Sequence, residues 1–248
     1  MDHMLYTAMT GISRVMEAQT QNANNIANAN TTGFKAELMR SGAFPVDGPG
    51  FPTRVATINE GSGADLAPGA AIATGNPLDV TIQGEGWFVV QVPGGGEALS
   101  RRGDFEIDAN GVLRNGAGMP LMGETGPVAI PPYETVTFGV DGTISIVPIG
   151  QDPDAPAVLD RLLLVRPDDP AQLQRGADGL FRLPNDEIPP PAADIRLLTG
   201  HLEASNVNLA QTMVEMISLQ RQFEMQVRML RMASDNADSS AMLLSSGR

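Results

Sequence analysis

The sequence predicts an α+β protein in which long N- and C-terminal helices pair as a coiled-coil stalk, with an all-β domain inserted between them. Three observations predict this. Apolar residues recur with four-three stepping at both ends of the chain. Between the ends, short β-type runs alternate with turns rich in glycine, aspartate and asparagine. The charge divides the same way. Residues 1–40 sum to zero, residues 200–248 to −1 and residues 41–199 to −12, within a formal total of −13. Neutral ends suit segments that pack on something, and an acidic middle suits a solvated surface. The expected division is a helix over 1–35, an extended connector over 36–75, an all-β domain over 76–198 and a second helix over 199–248.

The N-terminal helix is read from Met4 to Asn28. Leu5, Met9, Ile12, Met16, Gln19, Ala23 and Ile26 form its heptad seam, with one polar interruption. Asn30, Thr31, Thr32 and Gly33 end it, Gly33 being suited to a left-handed C-terminal turn. The connector follows, rich in Gly, Pro and Ala. From Asn76 the strands begin. "LDVTIQGEGWFVVQV" reads as strand, glycine turn and strand, with one of Trp87 and Phe88 facing inward and the other outward. "FEIDANGVLRN" is a hairpin turning at Asp108–Gly111. "VTFGVDGTISIV" is another, with Asp141-Gly142 in a two-residue turn. "RLLLVRP" and "GLFRL" add strands, and Pro189–Pro191 form a stiff exit. From Leu202 the four-three stepping resumes through Asn206, Leu209, Met213, Met216, Gln220, Phe223, Val227 and Leu230. With no proline after Thr199, a helix of about forty residues is expected, roughly 60 Å long. Such a helix cannot bury its stripe in a small domain and needs a partner.

Several functions are excluded or weakly supported. Without cysteine there is no disulfide, thiolate metal site or cysteine nucleophile. His3 and His201 are far apart in sequence, and no basic stripe marks a nucleic-acid binder. No run of eighteen apolar residues suggests a membrane span, and the first residues lack the pattern of a cleaved signal. Gly84-Glu85-Gly86 and Pro93–Glu97 read as tight turns, not as phosphate cradles. "EIDANG" opens like a calcium loop, but its twelfth position is Ala117 where a glutamate is needed. Met213, Met216, Met225, Met229 and Met232 read as packing residues. No metal, cofactor or catalytic residue is expected.

Four stretches carry a resemblance. "ANNIANANTTGFK" (Ala23–Lys35), "GNPLDVTIQGEGWFVV" (Gly75–Val90), "SRRGDFEIDANGVLRNGAGMPLMG" (Ser100–Gly123) and the helix Leu202–Asp235 resemble, in order, the bacterial flagellar rod and hook proteins. The opening Met1–Gln19 is most like that of proximal-rod members. The resemblance implies a non-catalytic subunit of the basal-body rod, the axle that transmits motor torque to the hook. It implies other rod proteins, copies of the chain itself and the flagellar type III export apparatus as partners, with no nucleic acid and no membrane insertion. It implies a periplasmic location in the basal body, reached without a cleaved signal. The alternatives are a distal-rod or hook subunit, and more remotely a secreted hydrolase or carbohydrate-binding protein.

The asparagines of the first stretch then gain an expected role. Amides donate and accept, and between subunits they can fix register. The expected assembly residues are Leu5, Met9, Ile12 and Met16; Asn24, Asn25, Ile26, Asn28, Gly33 and Phe34; and Leu209, Met213, Met216, Phe223, Val227 and Leu230.

Overall fold

The structure, a computed structural model, describes residues 2–45, 55–150, 156–184 and 187–246. The chain forms two units. One comprises Met1–Asn28, Glu37–Gly63 and Val207–Arg248, and the other Ala29–Ala36 and Ala64–Asn206.

The first unit holds helix α1 (Asp2–Ala27), the strand pair β1 (Glu37–Pro45) and β2 (Val55–Ala64), and helix α2 (Leu209–Ser246). Within 36–75, read from the sequence as a connector with little regular structure, β1 and β2 pair with each other as regular strands. The start of α2 is set by Asn208, whose side chain accepts from the backbone N–H of Gln211 at 3.2 Å. That interaction satisfies one of the otherwise unpaired N–H groups at the helix start. Leu202 and Asn206, read from the sequence as helical, lie before it. No described helix is long and apolar enough to cross a membrane.

The coiled-coil stalk is not what forms, and the expected fold class needs correction. The protein is mostly β, with a single α-helix near each end among the described residues. The seam read from the sequence coincides with the buried row only in part: Met216, Phe223, Val227 and Leu230 on α2 are half-buried, but other members are exposed. Met9 is 63% exposed, Met16 53% and Met213 49%. The helices do touch, through smaller residues. Asn22 donates to the Thr212 carbonyl at 2.8 Å. A Cβ on Gly11 would lie 3.2 Å from the Gln226 side chain. Among the described side chains of α1 the buried residues are Val15, Asn22 and Asn25, one position off the expected row. A shift of one residue turns a helix by about 100°. The sequence pattern follows the bulkiest apolar side chains, and here close approach selects small and amide residues instead.

The second unit is built from short strands: β3 (Ala71–Ala73), β4 (Val80–Gln83), β5 (Trp87–Gln91), β6 (Glu97–Ser100), β7 (Phe105–Ile107), β8 (Leu113–Asn115), β9 (Met122–Gly123) and β10 (Gly126–Pro127). They continue as β11 (Tyr133–Phe138), β12 (Thr143–Pro148), β13 (Ala157–Arg161), β14 (Leu164–Val165), β15 (Gln174–Arg175), β16 (Phe181–Arg182), β17 (Arg196–Thr199) and β18 (His201–Glu203). The largest sheet has the order β14-β5-β6-β16-β15, and a second has the order β11-β12-β13. Two pairs join distant parts of the chain. β4 pairs antiparallel with β17, Ile82 opposite Leu197, and β3 pairs with β18, Ile72 opposite Leu202.

Strand β5 lies between two cores. Phe88 and Val90 join Phe105, Leu113, Leu121 and Ile144 on one face. Trp87 and Val89 join Leu99, Val165 and Phe181 on the other. Neither aromatic faces outward, as the sequence reading expected one to do. The Phe88 and Phe105 rings meet edge to face at 5.2 Å, and Trp87 meets Phe181 at 4.8 Å. A strand covered on both faces gains from every side chain, so its sequence is a continuous apolar run.

One hairpin device recurs. Gly111 N–H bonds to the Asp108 carbonyl at 2.9 Å, and Gly142 to Gly139 at 3.0 Å. Gly118 bonds to Asn115 and Gly179 to Gly176 in the same way. The fourth residue is in each case a glycine with positive φ, 81° at Gly111 and 89° at Gly142. This is a three-residue loop closed by a left-handed glycine. The expected two-residue turn at Asp141-Gly142 is therefore replaced by one centred on Val140 and Asp141. At Asp108 the side chain also accepts from the backbone of Asn110 and Val112 and from Arg114 Nε at 2.8 Å.

Two predictions follow from these turns. A Cβ on Gly111 would meet the Ile130 carbonyl oxygen at 2.5 Å, whereas one on Gly118 meets nothing within 4 Å. Both glycines have positive φ, so Gly118→Ala should cost about 1 kcal/mol and Gly111→Ala about 2–3 kcal/mol. Urea unfolding of the two variants measures the difference. The second concerns acid. Arg114, and next the Val112 N–H, hold the Asp108 carboxyl below its ordinary value of 3.8. Its contribution to stability is present above that value and is lost as pH falls through the lower folded-state value. Asp108→Asn should therefore flatten the loss of stability as pH falls below the ordinary carboxylate value, read from unfolding midpoints along an acid series.

Candidate functional site

Each expected assembly residue has a definite place. Leu5 lies on α1, with its side chain outside the described residues. Met9 and Met16 are exposed, while Ile12 and Ile26 are half-buried. On α2, Leu209 and Met213 are exposed, and Met216, Phe223, Val227 and Leu230 are half-buried.

The amides work mainly within the first unit. Asn25 is buried and grips the backbone of Glu37 at both ends, donating to its carbonyl at 3.0 Å and accepting from its N–H at 2.8 Å. A side-chain amide here takes the place of a neighbouring strand. Asn24 donates to the Glu37 carboxylate at 2.7 Å, and Asn28 donates back to the Asn24 side chain at 2.8 Å. An asparagine outside the expected set does the same in the second unit. Asn206 accepts from Ala36 N–H at 2.7 Å and donates to the carbonyls of Asp65 and Ala67.

Gly33 and Phe34 belong to the second unit. Gly33 has φ of 67°, and its N–H donates to the Glu203 carbonyl at 2.8 Å. A Cβ there would stand 2.5 Å from the Arg101 backbone, so only glycine fits. Phe34 is buried under the Arg175 guanidinium, 4.3 Å from the ring centre.

Next to them lies a charge cluster that the sequence reading did not assign. Lys35 Nζ reaches Glu203 Oε1 at 2.6 Å, and Arg101 Nε reaches Oε2 at 3.0 Å. All three side chains are almost completely buried, at 0%, 3% and 3% exposure. The remaining polar atoms are spent on backbone. Lys35 donates to the Ala67 carbonyl, Gly69 N–H donates to Glu203, and Arg101 donates to the carbonyls of Gly86 and Gly84, both at 2.7 Å. Burial pulls the Lys35 ammonium below its ordinary value, with Glu203 opposing that shift; Arg101 shifts downward for the same reason. The cluster binds five separate chain segments together. Nothing local marks the three: Lys35 ends "TTGFK", Arg101 stands beside a second arginine in "LSRRG", and Glu203 lies in "HLEAS". Their partnership spans up to 168 positions and has no local periodicity to reveal it.

Among the described residues no group of histidine and acidic side chains is arranged to hold a metal. The features that stand out are helix faces, backbone-gripping amides and a buried charge clasp, which suit a structural part.

Three family models match. Residues 5–35 match flagella basal body rod protein, residues 81–146 the flagellar hook protein FlgE/F/G D1 domain, and residues 198–243 the C-terminal part of flagellar basal body rod FlgEFG protein. The chain is 40% identical to the flagellar basal-body rod protein FlgF of Escherichia coli, with 99% of each chain covered. The chain belongs to the flagellar basal-body rod family. The rod protein FlgF of Salmonella typhimurium is 39% identical over 99% of both chains, and that of Caulobacter vibrioides 35% over 93% of both. The family is structural and not enzymatic. The clasp joins all three matched segments, since Lys35 ends the first, Arg101 lies in the second and Glu203 in the third.

The clasp makes a graded prediction. Glu203→Gln strands two buried cations and should cost about 3–5 kcal/mol. Lys35→Met leaves Arg101 and Glu203 as a balanced pair and should cost less. Thermal unfolding of the two variants checks the order, and a Lys35→Met variant less stable than Glu203→Gln would refute the charge accounting.

Proposed function

We propose that this chain is a structural subunit of the flagellar basal-body rod, most like proximal-rod FlgF proteins, and that it assembles with other rod proteins and with copies of itself. The observation that carries this is the apolar surface left open on both helices. Met9 and Met16 on α1, and Leu209, Met213, Val214, Ile217, Met225, Met229 and Met232 on α2, are all exposed. Apolar rows of this extent on a soluble chain mark a surface for other protein. The assembly surface then uses Met9, Met16, Leu209 and Met213 directly. Ile12, Ile26, Met216, Phe223, Val227 and Leu230 hold the helices that present it. Asn24, Asn25 and Asn28 fix the helix against β1 so that the surface keeps its shape.

Export through the flagellar type III apparatus, a periplasmic position in the axle and torque transmission to the hook belong to the same reading, supported by family membership. The FlgF name carried by the relatives at 35–40% identity favours the proximal rod over the distal rod or hook. Electron microscopy of basal bodies from a strain lacking the gene tests the reading. A rod that stops early and carries no hook is the expected result. A complete rod without a hook would move the chain to the hook class, and intact working flagella would overturn the proposal.

A further inference from the structure

Resting on that reading, we propose that the outer face of α2 in one copy seats in the groove between α1 and β1 of a second copy, forming a head-to-tail contact. Two surfaces of the first unit carry the argument. The first is a stripe on α2. Val214, Ile217, Arg221, Met225, Arg228 and Met232 recur at three- and four-residue steps and share one face. The four apolar members are 53–67% exposed. The half-buried Met216, Leu219, Phe223 and Leu230 lie on the opposite face. The only charges within the stripe are two arginines. Arg228 has a long contact to Glu224 at 3.7 Å, between two exposed side chains, and such a pair is easily exchanged for another.

The second surface is a cavity of about 540 Å³ lined by Ser13, Met16, Glu17, Thr20, Glu37 and Met39, among others. Its apolar wall is methionine, and its charged lining among the described residues is two carboxylates with no base. Asn24 fixes the Glu37 carboxylate. Glu17 forms an exposed ion pair and hydrogen bond with Arg14 at 3.4 Å, a pair that solvent screening keeps weak and exchangeable. A stripe of apolar residues with arginines and a methionine-walled groove with glutamates are complementary in both polarity and charge. In the contact, Met225 at the centre of the stripe enters the groove, and Arg221 and Arg228, about one turn to either side, meet Glu17 and Glu37. Desolvation gives such pairs more weight than they have on a free surface. The surfaces differ, so the contact leaves a free stripe on one copy and a free groove on the other. It therefore propagates instead of closing as a dimer.

The chain has no cysteine, so introduced thiols report this contact without background. Full-length Thr20→Cys and Met225→Cys chains are expressed together in a strain lacking the native gene. Basal bodies are isolated, oxidised and run on a non-reducing gel. A mixed dimer exceeding either self-dimer by about tenfold is expected, from the raised effective concentration at a fixed interface. A second pair, Met16→Cys with Ile217→Cys, guards against a local disturbance by either substitution. Arg221→Glu should abolish the adduct, and Glu17→Arg on the groove-bearing copy should restore it. Basal bodies that contain the chain and work, yet give no mixed dimer with either pair, would overturn this contact and leave the rod assignment standing. Cross-linking only to a different protein would overturn a second copy as the occupant. Absence of the chain from basal bodies would overturn the rod assignment and the contact together.

Discussion

The Glu203 carboxylate, sealed between Lys35 and Arg101, is the interaction on which the second unit depends. Isolated burial of any one of these charges would be prohibitive, since each loses its hydration. Together they are tolerable only because nearly every donor and acceptor is met, the excess by backbone carbonyls at positions 67, 84 and 86. The arrangement is therefore highly specific. An alternative path for residues 33–35, 67–69, 84–86, 101 or 203 leaves a charge without its partner. Glycine supports the same crossing, because at position 33 a side chain would run into the Arg101 backbone. A buried ion cluster gains little by attraction alone, because desolvation offsets the Coulomb term, whereas a path that separates the partners leaves an uncompensated buried charge.

Amides serve the first unit in a related way. Asn25 fills both hydrogen-bonding groups of Glu37, and Asn22 spans from α1 to a backbone carbonyl of α2. Neither contact is generated by regular secondary structure. A helix that tolerates asparagine, a poor helix former, at four positions between 22 and 28 gives up intrinsic propensity in exchange for a fixed position. The outward methionines are then presented on a backbone held by directional bonds.

Much of this was legible in the residues. A helix near each end was legible from apolar stepping, because glycines and missing prolines are local signals, but α2 (Leu209–Ser246) starts seven residues after the stepping that begins at Leu202. The turn at Asp108–Gly111 was legible for the same reason. What failed was anything decided by tertiary approach. On α1 the seam was misjudged by one position because bulk was taken as the mark of burial, yet Val15, Asn22 and Asn25 are the buried residues among its described side chains. One of Trp87 and Phe88 was given an outward face because alternation implies one, but a second core covers β5. Lys35, Arg101 and Glu203 gave no pattern at all, as their meeting depends on three segments far apart in sequence. Of the expected assembly residues, the structure brings Asn24, Asn25 and Asn28 together around Glu37, and leaves Met9, Met16, Leu209 and Met213 open.

The strand pairings have a consequence for the order in which the second unit can form. Its three-residue hairpins join neighbours in sequence and can close as soon as a short length of chain is free. The pairs that complete it are different. Val80 waits for Thr199, Ala71 for Glu203, and Lys35 for the carboxylate of that same residue. A chain delivered from its N-terminus therefore holds a set of finished hairpins with an unfinished closure until about four-fifths of it has emerged. Only then do the strand that covers β4 and the acid that neutralises Lys35 arrive, within eight residues of each other. Completion of this unit is thus a late and nearly single event, immediately before the segment that begins α2.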